Sequence, residues 1–199
     1  MTIQSILRHH GFNCARKVLP SGRLVFETNS RASAPTARAG LAVTSHTFHG
    51  GDQPTDPTGD PAWWLMPGEL DNDVDAMSTY FPDFKLVSGD EESPPVWYGQ
   101  IATRLGPFWI AVAHRFDRTL PNVVPIQPAS RGRRVGRRFW PAPHLYLNGN
   151  LCVAAMEDWE PQRDTVATVV AWAAHWHAFY VEWYFTGKWP AERYVAEAS

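Results

Sequence analysis

One segment carries a hydrophobic period strong enough to dictate its structure. Val166, Val169, Val170, Ala173, Trp176, Tyr180 and Trp183 recur at spacings of three and four, the repeat of one helix face. A helix is predicted from about 162 to 186. Pro161 suits its first turn, where the missing N–H would have no partner, and Gly187 suits a left-handed C-terminal cap. Trp189-Pro190 ends it. The tryptophan stripe reads as core rather than as a ligand box. His175 and His177 stand two apart, about 200° round the helix, so they cannot share a metal ion. Each reads as a polar edge of the packed face.

Before this helix the sequence turns to β-type patterning. "PVWYGQIATRLGPFWIAVAHRF" holds two β-rich runs joined by Arg104-Leu105-Gly106-Pro107, an antiparallel pair. Prolines 121, 125, 128, 141 and 143 break the stretch that follows, which can hold only short or edge strands. "PGELDNDVDAMSTYFPDF" offers a short helix, with Asp71 or Asn72 as its cap and Pro82 beyond its end. The alternating Asp71, Asp73 and Asp75 resemble a calcium loop, but the glycine and final glutamate of that pattern are missing.

Residues 1–30 read as a short helix, "IQSILRHH", and then a hairpin turned at Pro20-Ser21-Gly22. Residues 31–62 are poor in large apolar side chains, and "HGGDQPTDPTGDP" is loop or linker by composition. The division expected is an N-terminal extension over 1–62 and a main domain over 63–199. A small antiparallel sheet followed by a long helix makes the fold class α+β.

Composition excludes more than it selects. Formal net charge is −2, which gives no support to a general nucleic-acid binder. Arg131, Arg133, Arg134, Arg137 and Arg138 cluster in "RGRRVGRR" and read either as a solvated loop or as a docking patch for an acidic partner. No run approaches the roughly 18 apolar residues of a membrane span. The start "MTIQSILRHHGF" lacks a signal peptide's apolar run. The two cysteines, Cys14 and Cys152, make neither a disulfide framework nor a zinc site. Reduced thiols and a cytoplasmic location are expected. His46 and His49 in "HTFHGG", and His9, His10 and Cys14 in "HHGFNC", have ligand-type letters without a second half at metal spacing. No metal or cofactor is expected.

Cys152 lies just past the turn Asn148-Gly149-Asn150 in "PAPHLYLNGNLCVAAMEDWEP". Turns lie at the surface, so one reading is a reachable nucleophile with His144 nearby in sequence. The other is a buried, inert thiol. Spacing alone leaves both open.

The same segment resembles the active-site region of ubiquitin-conjugating enzymes. Pro143, Tyr146, Gly149, Leu151, Cys152, Trp159 and Pro161 fall at the family's spacings. The Trp-rich helix, closing in Tyr180, Trp183, Thr186, Gly187, Trp189 and Pro190, is similar to a bacterial branch found in antiphage signalling operons. The resemblance covers 141–190 well and 95–128 fairly. It implies a short antiparallel meander with a catalytic cysteine loop packed on a long C-terminal helix. It implies an enzyme that takes a partner protein's C-terminal carboxyl onto Cys152 as a thioester and passes it to an amine. The implied donor is a cyclic-nucleotide synthase or a ubiquitin-like protein.

Two positions depart from the family. Ala142 stands where the family has histidine, and His144 where it has asparagine. For His144 three roles stand open: an oxyanion N–H donor, a base for the incoming amine, or a pin that holds the loop. The chain has no Gly-x-Gly-x-x-Gly or P-loop, so a separate activating enzyme acts or the carboxyl arrives activated. A non-catalytic adaptor of the same fold is the alternative, followed by a cysteine hydrolase using His175 or His177 as base.

Overall fold

The computed structural model describes residues 14–28, 40–55, 62–128, 131–190 and 193–194. The predicted helix in "IQSILRHH", and His9 and His10, lie outside them. Strands β1 (Cys14–Val18) and β2 (Leu24–Thr28) form the expected hairpin, and β3 (Leu41–Ala42) pairs with the other edge of β1. Strand β4 (His46–Thr47) leads, past a 3-10 turn at Trp63–Leu65, to helix α1 (Asp71–Tyr80). Neither Asp71 nor Asn72 caps α1. Leu70 holds that position, and the acidic residues lie inside the first turn, where the helix dipole favours them.

Strands β5 (Lys85–Val87), β6 (Val96–Thr103), β7 (Gly106–Ala113) and β8 (Asn122–Gln127) form one antiparallel sheet in sequence order. The β6–β7 pair is the one its patterning predicted. Alternate residues Trp97, Gly99 and Ile101 of β6 and Phe108, Ile110 and Val112 of β7 point inward. Pro125 lies in β8, the edge strand, as its missing N–H requires. A separate hairpin, β9 (Gly132–Val135) and β10 (Arg138–Pro141), stands off the sheet. Helix α2 (Val166–Thr186) follows, and β11 (Arg193–Tyr194) returns to pair with β4. Among the described residues the architecture is α+β with antiparallel sheets and two α-helices.

Helix α2 departs from its prediction in two ways. It begins at Val166, with Thr165 as cap, and Pro161 sits in a separate turn before it. It also has no polar face along its first half. Trp172, Trp176, His175 and His177 are all fully buried, because the sheet covers one side while β1–β3 and α1 cover the others. Gly187, at φ 76°, is the left-handed cap and donates to the Trp183 carbonyl.

The helix histidines are therefore not edges but partnered core groups. His46 Nδ1 must donate to the Thr44 carbonyl, so its Nε2 accepts from His175 Nδ1. His175 Nε2 then accepts from Arg16 at 2.5 Å. His177 donates through Nδ1 to the Ala173 carbonyl, and its Nε2 faces Arg131. Burial holds these rings neutral: it lowers His46 to about 4, His177 to about 3, and His175 well below its usual range.

Composition marked residues 31–62 as loop or linker. Residues 40–55 are instead folded onto the body, with Val43, His46 and Phe48 in the core. The arginine cluster divides as well. Arg131 is buried over the Phe108 ring, and Arg133 lies against Trp183 and the Tyr184 carbonyl. Only Arg134, Arg137 and Arg138 of the five are exposed. Asp73 is likewise structural, accepting the Val166 amide from the start of α2.

Candidate functional site

The chain leaves β10 through Ala142 and turns sharply at His144, which has a left-handed backbone, φ 56°. Leu145 and Leu151 then pair as a miniature hairpin. Its turn is built by local chemistry: Gly149, at φ 89°, donates to the Tyr146 carbonyl, and Asn148 accepts the Asn150 amide. The Leu151 amide anchors the hairpin to the Val123 carbonyl of β8. Cys152 comes next, its amide bonded to the His144 carbonyl, which also accepts from Trp176 of α2. The loop is thus held by the sheet on one side and the long helix on the other.

Cys152 is not at the surface. It is fully buried, as in the second of the two readings that spacing left open. The cover is the segment 46–55, which crosses the loop as a strap. Gly51 bridges to Tyr146, and the Leu147 amide donates to the Gly51 carbonyl. Gln53 Oε1 accepts from both Asn148 and Asn150 at 2.7 Å, while its own amide donates to Asn122. At the strap's start Asp158 accepts the amides of Thr47 and Ala155 through one oxygen, tying strap to cysteine loop. A small cleft under the strap is lined by Gln53, Asn122, Tyr146, Leu151, Val153 and Met156 among others, with Cys152 outside its lining.

The strap brings a histidine to the thiol. His49 Nδ1 lies 2.7 Å from Cys152 Sγ. The His49 backbone and the Tyr146 side chain lie close enough to the sulfur to act on its titration. Burial pushes the thiol's pKa up. The Tyr146 and His49 donors pull the other way and Asp158 adds to the rise, with the balance upward. Burial and the adjacent thiol raise Tyr146 as well. A thiol in this setting is protonated near neutral pH and needs a proton acceptor to react.

His144, for which three roles stood open, makes the contacts of the third. Its Nδ1 donates to the His49 carbonyl at 2.7 Å, and its ring packs against Trp189 and Phe48. These are the contacts of a residue that holds loop and strap together. His175 and His177 bond into the helix core as described and do not face Cys152, so neither is placed to be a hydrolase base. His49 was set aside in the sequence as a weak ligand letter. Its signal was the alternation His46-x-Phe48 in an otherwise polar stretch, which marks a segment with a buried side.

Among the described residues no helix is long and apolar enough to cross a membrane. No curated protein and no solved structure matches the chain. The model of the Type II CBASS E2 protein family matches residues 73–196. That span takes in α1 but for its first two residues, all of α2, the four-stranded sheet and the whole Cys152 loop, well over half of the chain. The protein belongs to the Type II CBASS E2 family, E2-like proteins of a bacterial antiviral defence system.

Proposed function

We propose that the protein is a thioester-relay acyltransferase with a ubiquitin-conjugating-enzyme-like fold. Cys152 accepts the C-terminal carboxyl of a partner protein and gives it to an amine, in cytoplasmic antiphage signalling built on a cyclic-nucleotide synthase. The donor is that synthase or a ubiquitin-like protein, and activation of its carboxyl falls to another chain. The observation that carries this reading is the Cys152 thiol, set on the loop that the family match spans and met by His49 and Tyr146. A thioester needs little further activation, so positioning and a proton path suffice for the chemistry. His144 serves as a positioning residue through its bond to the strap.

The test is intact-mass analysis of the protein purified with its operon neighbours. The expected result is a covalent adduct removed by excess thiol and lost in Cys152→Ala, while Cys14→Ala keeps it. An adduct that survives Cys152→Ala overturns the reading. The complete burial of Cys152 favours a second reading, a non-catalytic adaptor. No adduct under any condition, with partners still bound, supports that one.

A further inference from the structure

We infer that His49 is a catalytic residue, the proton acceptor and donor for Cys152, delivered by a strap outside the residues that the family match spans. The inference rests on Cys152 being the acyl carrier. Three observations carry it. His49 Nδ1 is at hydrogen-bonding distance from the sulfur. Of the other described histidines near the site, His144 is turned to the His49 carbonyl, and His46 and His175 are bonded to one another. His49 itself is exposed, so its ring has a route to solvent for the proton it takes.

Among the described residues, the following groups are placed about His49. Cys152 and Tyr146 approach from the cysteine loop, with the His49 and Tyr146 ring centroids 6.0 Å apart. His144 holds its carbonyl. Asp158 anchors the strap two residues before it, at Thr47. With its Nδ1 turned to a protonated thiol, neutral His49 carries its hydrogen on Nε2.

For an incoming thioester the step runs thus. The S–H bond of Cys152 breaks and its proton passes to Nδ1. Sulfur attacks the carbonyl carbon and a new C–S bond forms. The incoming C–S bond breaks, and its thiolate leaves with the electron pair and takes the proton. In the second half an amine attacks the Cys152 thioester and a C–N bond forms. The bond to Cys152 breaks, and its thiolate recovers the proton that the amine surrenders through His49. No oxidant or reductant is needed.

The experiment uses the full chain and a small aryl thioester of glycine, with acylation of Cys152 followed by intact mass and peptide mapping against pH. In the wild type the rate rises with pH and then levels. In His49→Gln it falls about 100-fold at pH 7 and climbs about tenfold per pH unit as hydroxide takes over. Imidazole added to His49→Ala restores part of the lost rate and does nothing for Cys152→Ala. Wild-type rate and profile in His49→Gln overturn the inference and leave the thioester reading standing. So does a slow His49→Ala that imidazole cannot rescue. A wild type never acylated at Cys152 overturns both.

Discussion

The Asp73 carboxylate of α1 accepts the backbone amide of Val166, the first residue of α2, at 2.7 Å. A side chain 93 residues earlier thus satisfies one of the orphan donors at the start of the long helix. Its other oxygen stands 3.1 Å from His114 Nε2, at ion-pair distance. The pair fixes where α2 begins and so where the helix meets the cysteine loop. Asp73→Ala removes a cap, and a loss of about 1–2 kcal/mol is expected in urea unfolding. Asp73→Asn keeps an acceptor and loses less. Equal stability in Asp73→Ala would show that the bond carries no weight.

The strap should control access to the thiol. Gln53 makes three side-chain bonds that clamp it to Asn122, Asn148 and Asn150. Bonds of this kind contribute roughly 0.5–1.5 kcal/mol each. In Gln53→Ala the strap opens more often, and maleimide modification of Cys152 in the native protein should be at least about tenfold faster. Peptide mapping separates it from modification at Cys14. An unchanged rate at Cys152 means that the thiol is reached by some other route.

The buried histidines make stability depend on pH. In the unfolded chain they titrate near 6.5. Folded, His46 titrates at about 4 and His177 at about 3, with His175 also far below. Between those values the unfolded state binds more protons, so stability rises with pH through the window. It is lost as pH falls from about 6.5 toward 4, by up to about 1.4 kcal/mol per pH unit for each histidine. Unfolding midpoints from pH 4.5 to 7.5 check this, and His177→Gln should shallow the slope by one proton's share. A flat profile would mean that the rings take up protons in the core as readily as in the unfolded chain.

Much of this molecule is legible in its sequence because its strongest signals are local. The β6–β7 pair follows from alternation and a glycine turn. The body and cap of α2 follow from its period and Gly187. The Cys152 loop follows from residues within about twenty positions of one another. Legibility fails where contacts are long-range. His175 and His177 read as edge residues because nothing in the helix announces that β1 will bring Arg16 against it. His49 is 103 residues from Cys152, in a stretch whose glycines and prolines signal a linker. Composition describes backbone freedom there, whereas the strap's place is set by side chains of Gln53, Asn148 and Asn150. The sulfur's burial could not be read from the sequence for the same reason: its cover comes from another part of the chain.

The His144 position separates loop-holding from chemistry. Its left-handed backbone, φ 56°, is a conformation that asparagine tolerates well. Asparagine also carries an N–H able to reach the His49 carbonyl, as His144 Nδ1 does. The asparagine of the ubiquitin-conjugating enzymes that this segment resembles therefore fits both the backbone and the bond. His144→Asn should acylate Cys152 within about threefold of the wild-type rate, with the same pH profile. His144→Gly keeps the backbone and loses the bond to the strap, so its rate should fall up to about tenfold while the inflection stays in place. That combination is what a positioning residue produces, because the proton is still carried by His49. If the inflection vanishes in both His144 variants and persists in His49→Gln, the proton is carried by His144 and the two histidines exchange roles.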